Sequence, residues 1–131
     1  MKIHKLIQIF MLLCMIVSFS PVHAAFAAPR LLGTVGAGGG GPSTLVEIDP
    51  ATGSLIQTIG SVDYIVNGMT YDSATGILYG STSTNDPSFH GLITINMTTG
   101  AGAPVGPGWE QNITNITLDA SGQMFAWNES G

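Results

Sequence analysis

The sequence predicts an all-β fold built from antiparallel four-stranded units, and three observations carry that expectation. Beyond residue 30, short runs rich in Val, Ile, Thr, Leu and Tyr alternate with Gly, Pro, Asn, Asp and Ser, the pattern of strands separated by turns. No stretch places apolar residues at i, i+3, i+4 and i+7 over the length a helix needs, and 18 glycines and seven prolines act as helix breakers. Finally, an acid-to-glycine punctuation returns four times: Asp49 to Gly53, Asp72 to Gly76, Asn96 to Gly100 and Asp119 to Gly122. The leading residues are 23, 24 and 23 positions apart, and recurrence at a fixed period is the mark of a repeated architecture.

The chain opens differently. Lys2, His4 and Lys5 precede an apolar run from Leu6 to Val17, followed by the small-residue stretch "VHAAFAAP". A basic end, a short apolar core and an A-x-A-like site predict a secretory signal peptide over residues 1–27, cleaved near 24–27. The apolar run is too short to cross a bilayer, which takes ~20 residues, so no membrane span is expected after cleavage. The expected location is outside the cytoplasm: secreted, periplasmic or on the cell surface. The one cysteine, Cys14, lies inside the leader, so the exported chain has neither thiol nor disulfide. Arg30 is then the one Lys or Arg against eight Asp and Glu, a net charge near −7. Such a surface excludes nucleic acid as a partner, because that recognition depends on cations facing phosphate.

The elements follow in order. "GAGGGGPS", residues 36 to 43, is expected to be a long flexible loop between two strands. Each segment of about 23 residues beyond it has the form strand, Asp/Asn-x-x-(x)-Gly turn, strand. The Asp or Asn side chain can accept hydrogen bonds from backbone N–H groups ahead of it, and Gly at the exit takes a positive φ that other residues resist. Pro50 supplies the fixed φ favoured just inside a turn. Two hairpins make a unit with a period of 47: Leu45 matches Leu92, Asp49 matches Asn96, and Gly68 to Asp72 matches Asn115 to Asp119. Tyr79 matches Phe125 at 46 after a one-residue deletion in the turn. One of Phe125 and Trp127 is expected to pack between units.

A four-stranded unit of this length has the size of one β-propeller blade. The stretch "NGMTYDSATGILYGSTS…GLITINMTTGAGAPVG" resembles a blade of the secreted bacterial β-propellers of the YVTN and NHL kind. The resemblance covers residues 30 to 131 and rests on structural motifs. It implies an inner strand at 67–72, then strands at 77–83, 92–96 and 101–106 in a full blade spanning 65–106. It further implies a partial blade over 30–60, with strands at 31–36, 44–49 and 54–60, and another over 112–131, with strands at 113–119 and 123–129. About two blades cannot close a ring that usually has four to eight. The expectation is an N-terminal fragment of a larger propeller, or a ring completed in cis by further blades or by oligomerisation.

Chemistry-bearing residues are few. His90, in "STNDPSFHG", is the one histidine outside the leader, whereas a metal site wants several converging ligands. No G-x-S-x-G occurs, and with no lysine or cysteine beyond the leader neither Schiff-base nor thiolate catalysis is available. Asp63, Asp86, Glu110 and Glu129 are loop acids from which a glycosidase-like pair would have to come. Calcium is the one cofactor the acidic loops could suit, although "STNDPS" lacks the spacing of a calcium loop. No catalytic residue, cofactor site or metal site is assigned. Tyr64, Asp86, His90 and Trp109 are the candidates for a loop surface that meets a protein or glycan. The eight punctuating residues, Asp49, Gly53, Asp72, Gly76, Asn96, Gly100, Asp119 and Gly122, are expected to be structural. Asn96, Asn112, Asn115 and Asn128 sit in N-x-S/T triplets, which are glycosylation acceptors in a secretory eukaryotic chain and, as the bacterial look of the repeats favours, turn and strand-edge residues otherwise. The functional expectation is an exported binding or scaffolding module without its own catalytic site. The alternative is the front portion of a propeller lyase or hydrolase whose catalytic residues lie beyond Gly131.

Overall fold

A computed structural model describes residues 29–37, 41–111 and 113–128. The leader expected over 1–27, Asn112 and Glu129 lie outside the described residues. Nine strands and no helix occur among them: β1 (Leu31–Ala37), β2 (Gly41–Ile48), β3 (Leu55–Ser61), β4 (Val66–Asp72), β5 (Ile77–Thr82), β6 (Leu92–Ile95), β7 (Gly102–Val105), β8 (Ile113–Leu118) and β9 (Met124–Asn128). They form three antiparallel sheets in simple up-and-down order: β1-β2-β3, β4-β5-β6-β7 and β8-β9. No sheet closes on itself.

The glycine-rich run departs from expectation. Gly36 and Ala37 belong to β1, Gly41 to Ser43 belong to β2, and Ala37 pairs with Gly41. Pairing thus extends across most of what composition marks as a loop, with a register irregularity between Val35 and Ala37. Glycine disfavours a strand but does not forbid one, and Ser43 supplies the anchor. Its backbone N–H donates to the Tyr64 carbonyl and its carbonyl accepts from Val62 N, both at 2.8 Å. Its buried hydroxyl accepts from Val66 N at 3.0 Å.

Side chains directly opposite in a ladder share a face, so the registers sort the residues. In the four-stranded sheet, Met69, Gly80, Ile93 and Pro104 form one row, and Tyr71, Leu78, Ile95 and Gly102 the next. This front face meets the three-stranded sheet: Leu78, Ile93 and Ile95 join Leu45 and Val62 in one buried cluster, with Leu32 and Ile59 packed against it. The back face carries the rows Gly68, Ser81, Leu92, Val105 and Thr70, Tyr79, Thr94, Ala103. There β8 lies against β4 and β5, and a Cβ on Gly68 would come 2.8 Å from the Asn115 Cα. Pro104, which cannot donate to a ladder, sits on the edge strand β7, where such a residue is tolerated.

The 47-residue period is visible in the backbone beyond the turns. β4 breaks register between Val66 and Gly68, and β8 does so between Ile113 and Asn115, the same irregularity one period later. Neither Phe125 nor Trp127 packs between sheets: they are 49 % and 69 % exposed. Each points the same way as its cross-strand partner, Thr117 or Asn115, whereas Ile116, on the opposite face, is the buried residue of this hairpin.

Candidate functional site

Three of the acid-to-glycine turns close with a bond across four residues, and the Asp119 turn, one residue shorter, closes across three. The Asp49, Asp72, Asn96 and Asp119 carbonyls accept from the N–H of Gly53, Gly76, Gly100 and Gly122 at 2.8, 2.8, 2.8 and 3.0 Å. Those glycines have φ of 73°, 74°, 88° and 84°. Each leading side chain caps amides inside its own turn: Asp49 that of Ala51, Asp72 that of Ala74, Asn96 those of Thr98 and Thr99, Asp119 those of Ser121 and Gln123. Donated bonds favour the charged form and hold three carboxyls below their usual range. The main cause is the Ala51 amide for Asp49, the Thr75 hydroxyl for Asp72 and the Ser121 hydroxyl for Asp119. With their side chains turned onto their own backbone, these four residues act as hinges of the hairpins.

Up-and-down order in the four-stranded sheet places the turns at 72–76 and 96–100 at one end, and the connections 83–91 and 106–111 at the other. The loop candidates gather at that second end, in two layers. The lower layer is framework. Asp86 is 2 % exposed; its Oδ1 accepts from Ser88 N at 2.8 Å and Phe89 N at 3.1 Å, and its Oδ2 from Ile65 N at 2.6 Å. The carboxylate therefore ties the 83–91 loop to the segment joining the first two sheets. Tyr64, in that segment, packs on the core and meets the Phe89 ring edge-to-face at 6.2 Å. Thr82 completes the layer: its buried Oγ1 donates to the Phe89 carbonyl at 2.8 Å and accepts from Gly91 N at 2.7 Å.

The upper layer is open. Pro87, Ser88, Phe89 and His90 face Pro107, Gly108, Trp109 and Glu110 across a cleft of about 410 Å³. The two walls are joined where Trp109 N donates to the His90 carbonyl at 2.7 Å. His90 Nε2 lies 2.6 Å from the Asp86 carbonyl oxygen. A carbonyl can only accept, so Nε2 is the donor in this contact. Gly108 has φ of 87°, and a Cβ there would come 2.6 Å from the His90 carbonyl oxygen. The close approach of the walls therefore requires glycine.

The structure thus separates the four candidates: His90 and Trp109 line the cleft, while Asp86 and Tyr64 are built into its floor. Pro87, Ser88 and Pro107 carry no chemical signal of their own in the sequence; only the folding of two distant loops onto one another reveals them. Among the described residues, no group of three or more His, Cys, Asp or Glu converges. Arg30 lies away from this cleft, paired with Glu47 through Nε and Nη2 at 3.0 and 2.8 Å. Comparison with known protein families, with characterised proteins and with solved structures finds no match.

Proposed function

We propose that the chain is an exported binding module whose three sheets are propeller-type blades and whose ligand sits in the cleft between 87–90 and 107–110. The observation that carries this reading is the division of labour in the loops. Buried Asp86, Thr82 and Ser43 hold the connecting segments by hydrogen bonds, so the cleft above them is preorganised. Rigid placement of a few polar groups beside an aromatic plane lowers the ordering cost of recognition. Trp109 offers a flat apolar face with an N–H donor, and the two prolines add stiff walls. Ser88, His90 and Glu110 supply donors and acceptors around them. The arrangement suits a sugar ring or an extended peptide, and the excess of carboxylates over cations disfavours an anionic one.

Support for the blades comes from the four-stranded up-and-down order, the face-to-face contact of successive sheets and the 47-residue period that recurs in turns and register breaks alike. The test is a binding screen of the purified chain against neutral oligosaccharides and unmodified peptides, repeated with Trp109→Ala and His90→Ala. The expected result is saturable binding that Trp109→Ala weakens at least about tenfold, the scale of a lost aromatic anchor. Binding unchanged in both variants, or no saturable ligand in either class, would overturn the reading.

A further inference from the structure

The registers reveal a polarity in how the sheets stack. Shifting the four-stranded sheet by 47 residues identifies its front row residue Ile93 with Val46, and its back row residue Leu92 with Leu45. Leu45 is the residue that the three-stranded sheet buries against the front of the four-stranded sheet. The first contact is therefore back onto front. By the same shift Met69, on the front of the four-stranded sheet, corresponds to Ile116. Ile116 is the buried residue of the β8–β9 hairpin, which lies on the back of the four-stranded sheet. The second contact repeats the rule.

Among the described residues, two faces have no sheet against them, one of each kind. The front of the three-stranded sheet carries the rows Leu31, Ile48, Leu55 and Gly33, Val46, Thr58, with Val35 opposite Thr44. Leu31, Val35 and Leu55 there are 45 %, 55 % and 62 % exposed, while Val46 on the same face is 3 % exposed. The back of the β8–β9 hairpin carries Asn115 opposite Trp127 and Thr117 opposite Phe125, with both aromatics exposed. Neither set contains a charged residue, although the described surface is strongly acidic and its one Lys or Arg, Arg30, is paired with Glu47.

We infer that the back of β8–β9, with Phe125 and Trp127, docks onto the front of the three-stranded sheet, with Leu31, Val35 and Leu55, of a second copy of this chain. Within one chain the two kinds of face already meet twice, so the contact between copies continues an interface the fold uses itself. It joins different patches, head to tail, and such a contact grows into a ring or an open array. Apolar side chains leaving water drive it, and the lack of charge in both patches keeps carboxylate repulsion out of its centre. The inference depends on the stacking of sheets and not on the ligand cleft, so a failed ligand screen leaves it standing.

The test is sedimentation velocity of the purified full chain from low micromolar to near-millimolar concentration, with Leu55→Glu and Trp127→Glu as variants. Both substituted residues are exposed, and far-UV circular dichroism establishes that each variant keeps its β signal. The wild-type chain is expected to associate with rising concentration beyond a dimer, and each variant alone to stay monomeric. An equimolar mixture of the two variants is expected to form a heterodimer and nothing larger, because only one intact front and one intact back remain between them. Monomeric wild type at every concentration, association that survives either substitution, or a mixture that stays monomeric would each overturn the inference.

Discussion

At the residue scale, the glycines of the recurring turns differ in what surrounds them. Gly53 has open space where a Cβ would stand, so Gly53→Ala pays only for a left-handed backbone, ~1–2 kcal/mol. Gly100 has the same kind of φ, but its Cβ would lie 2.5 Å from the Gly60 carbonyl oxygen and 2.9 Å from the Gly60 Cα. That backbone belongs to β3 of the neighbouring sheet, so Gly100→Ala must also push two sheets apart. The expected outcome in urea unfolding is a clearly larger loss for Gly100→Ala than for Gly53→Ala. Equal losses would mean that the two sheets do not meet at this turn. The turn position of these glycines was legible in the sequence, since the recurring acid-to-glycine spacing implies it. The contact that singles out Gly100 was not, because it depends on which turn lies beside which strand.

At the scale of the element, the hairpin turns couple the fold to pH. Asp49, Asp72 and Asp119 accept bonds that hold their carboxyls below the ordinary range. A folded pKa below the unfolded one gives stability that is complete above the unfolded value, ~3.9 for Asp, and is lost as pH falls through the folded value. The Asn96 turn has the geometry of the Asp49 and Asp72 turns without a titrating group, so it is the built-in control for those two. Asp119 directs all its side-chain bonds, from Ser121 N, Ser121 Oγ and Gln123 N, to Oδ1, and an amide oxygen can take its place. Asp119→Asn is therefore expected to fold. Its stability deficit in urea titrations, present at neutral pH, should shrink as pH drops below ~4. A deficit constant across that range would deny the carboxylate its part. Strand positions were largely legible for the same reason the turns were: alternating apolar residues between Asx and Gly leave little choice of boundary. The loops were not. Asp86 and His90 are near neighbours in the sequence and equal candidates for the loop surface, yet one is spent on three backbone amides and the other lines the cleft. Only the path of residues 62–65 across the sheets decides that.

At the scale of the molecule, the stack should be unevenly stable. β5 and β6 are paired on both sides in the four-stranded sheet, and its two faces are met by the sheets that flank it in the stack. The β8–β9 hairpin has two strands, one covered face and Trp127 in solvent, and an isolated two-stranded hairpin is marginal in water. Local opening follows such differences in packing and pairing. Hydrogen exchange at low concentration should therefore find the ladder amides of β5 and β6 slowest and those of β8 and β9 fastest among the strands. At concentrations where copies meet head to tail, β8 and β9 should gain protection together with β1 and β3, while β5 and β6 change little. Protection that rises uniformly would point to general crowding, and protection gained at 83–91 and 106–111 would place the contact at the loop cleft. Gain confined to the two end sheets is the pattern that a back-to-front contact between copies produces.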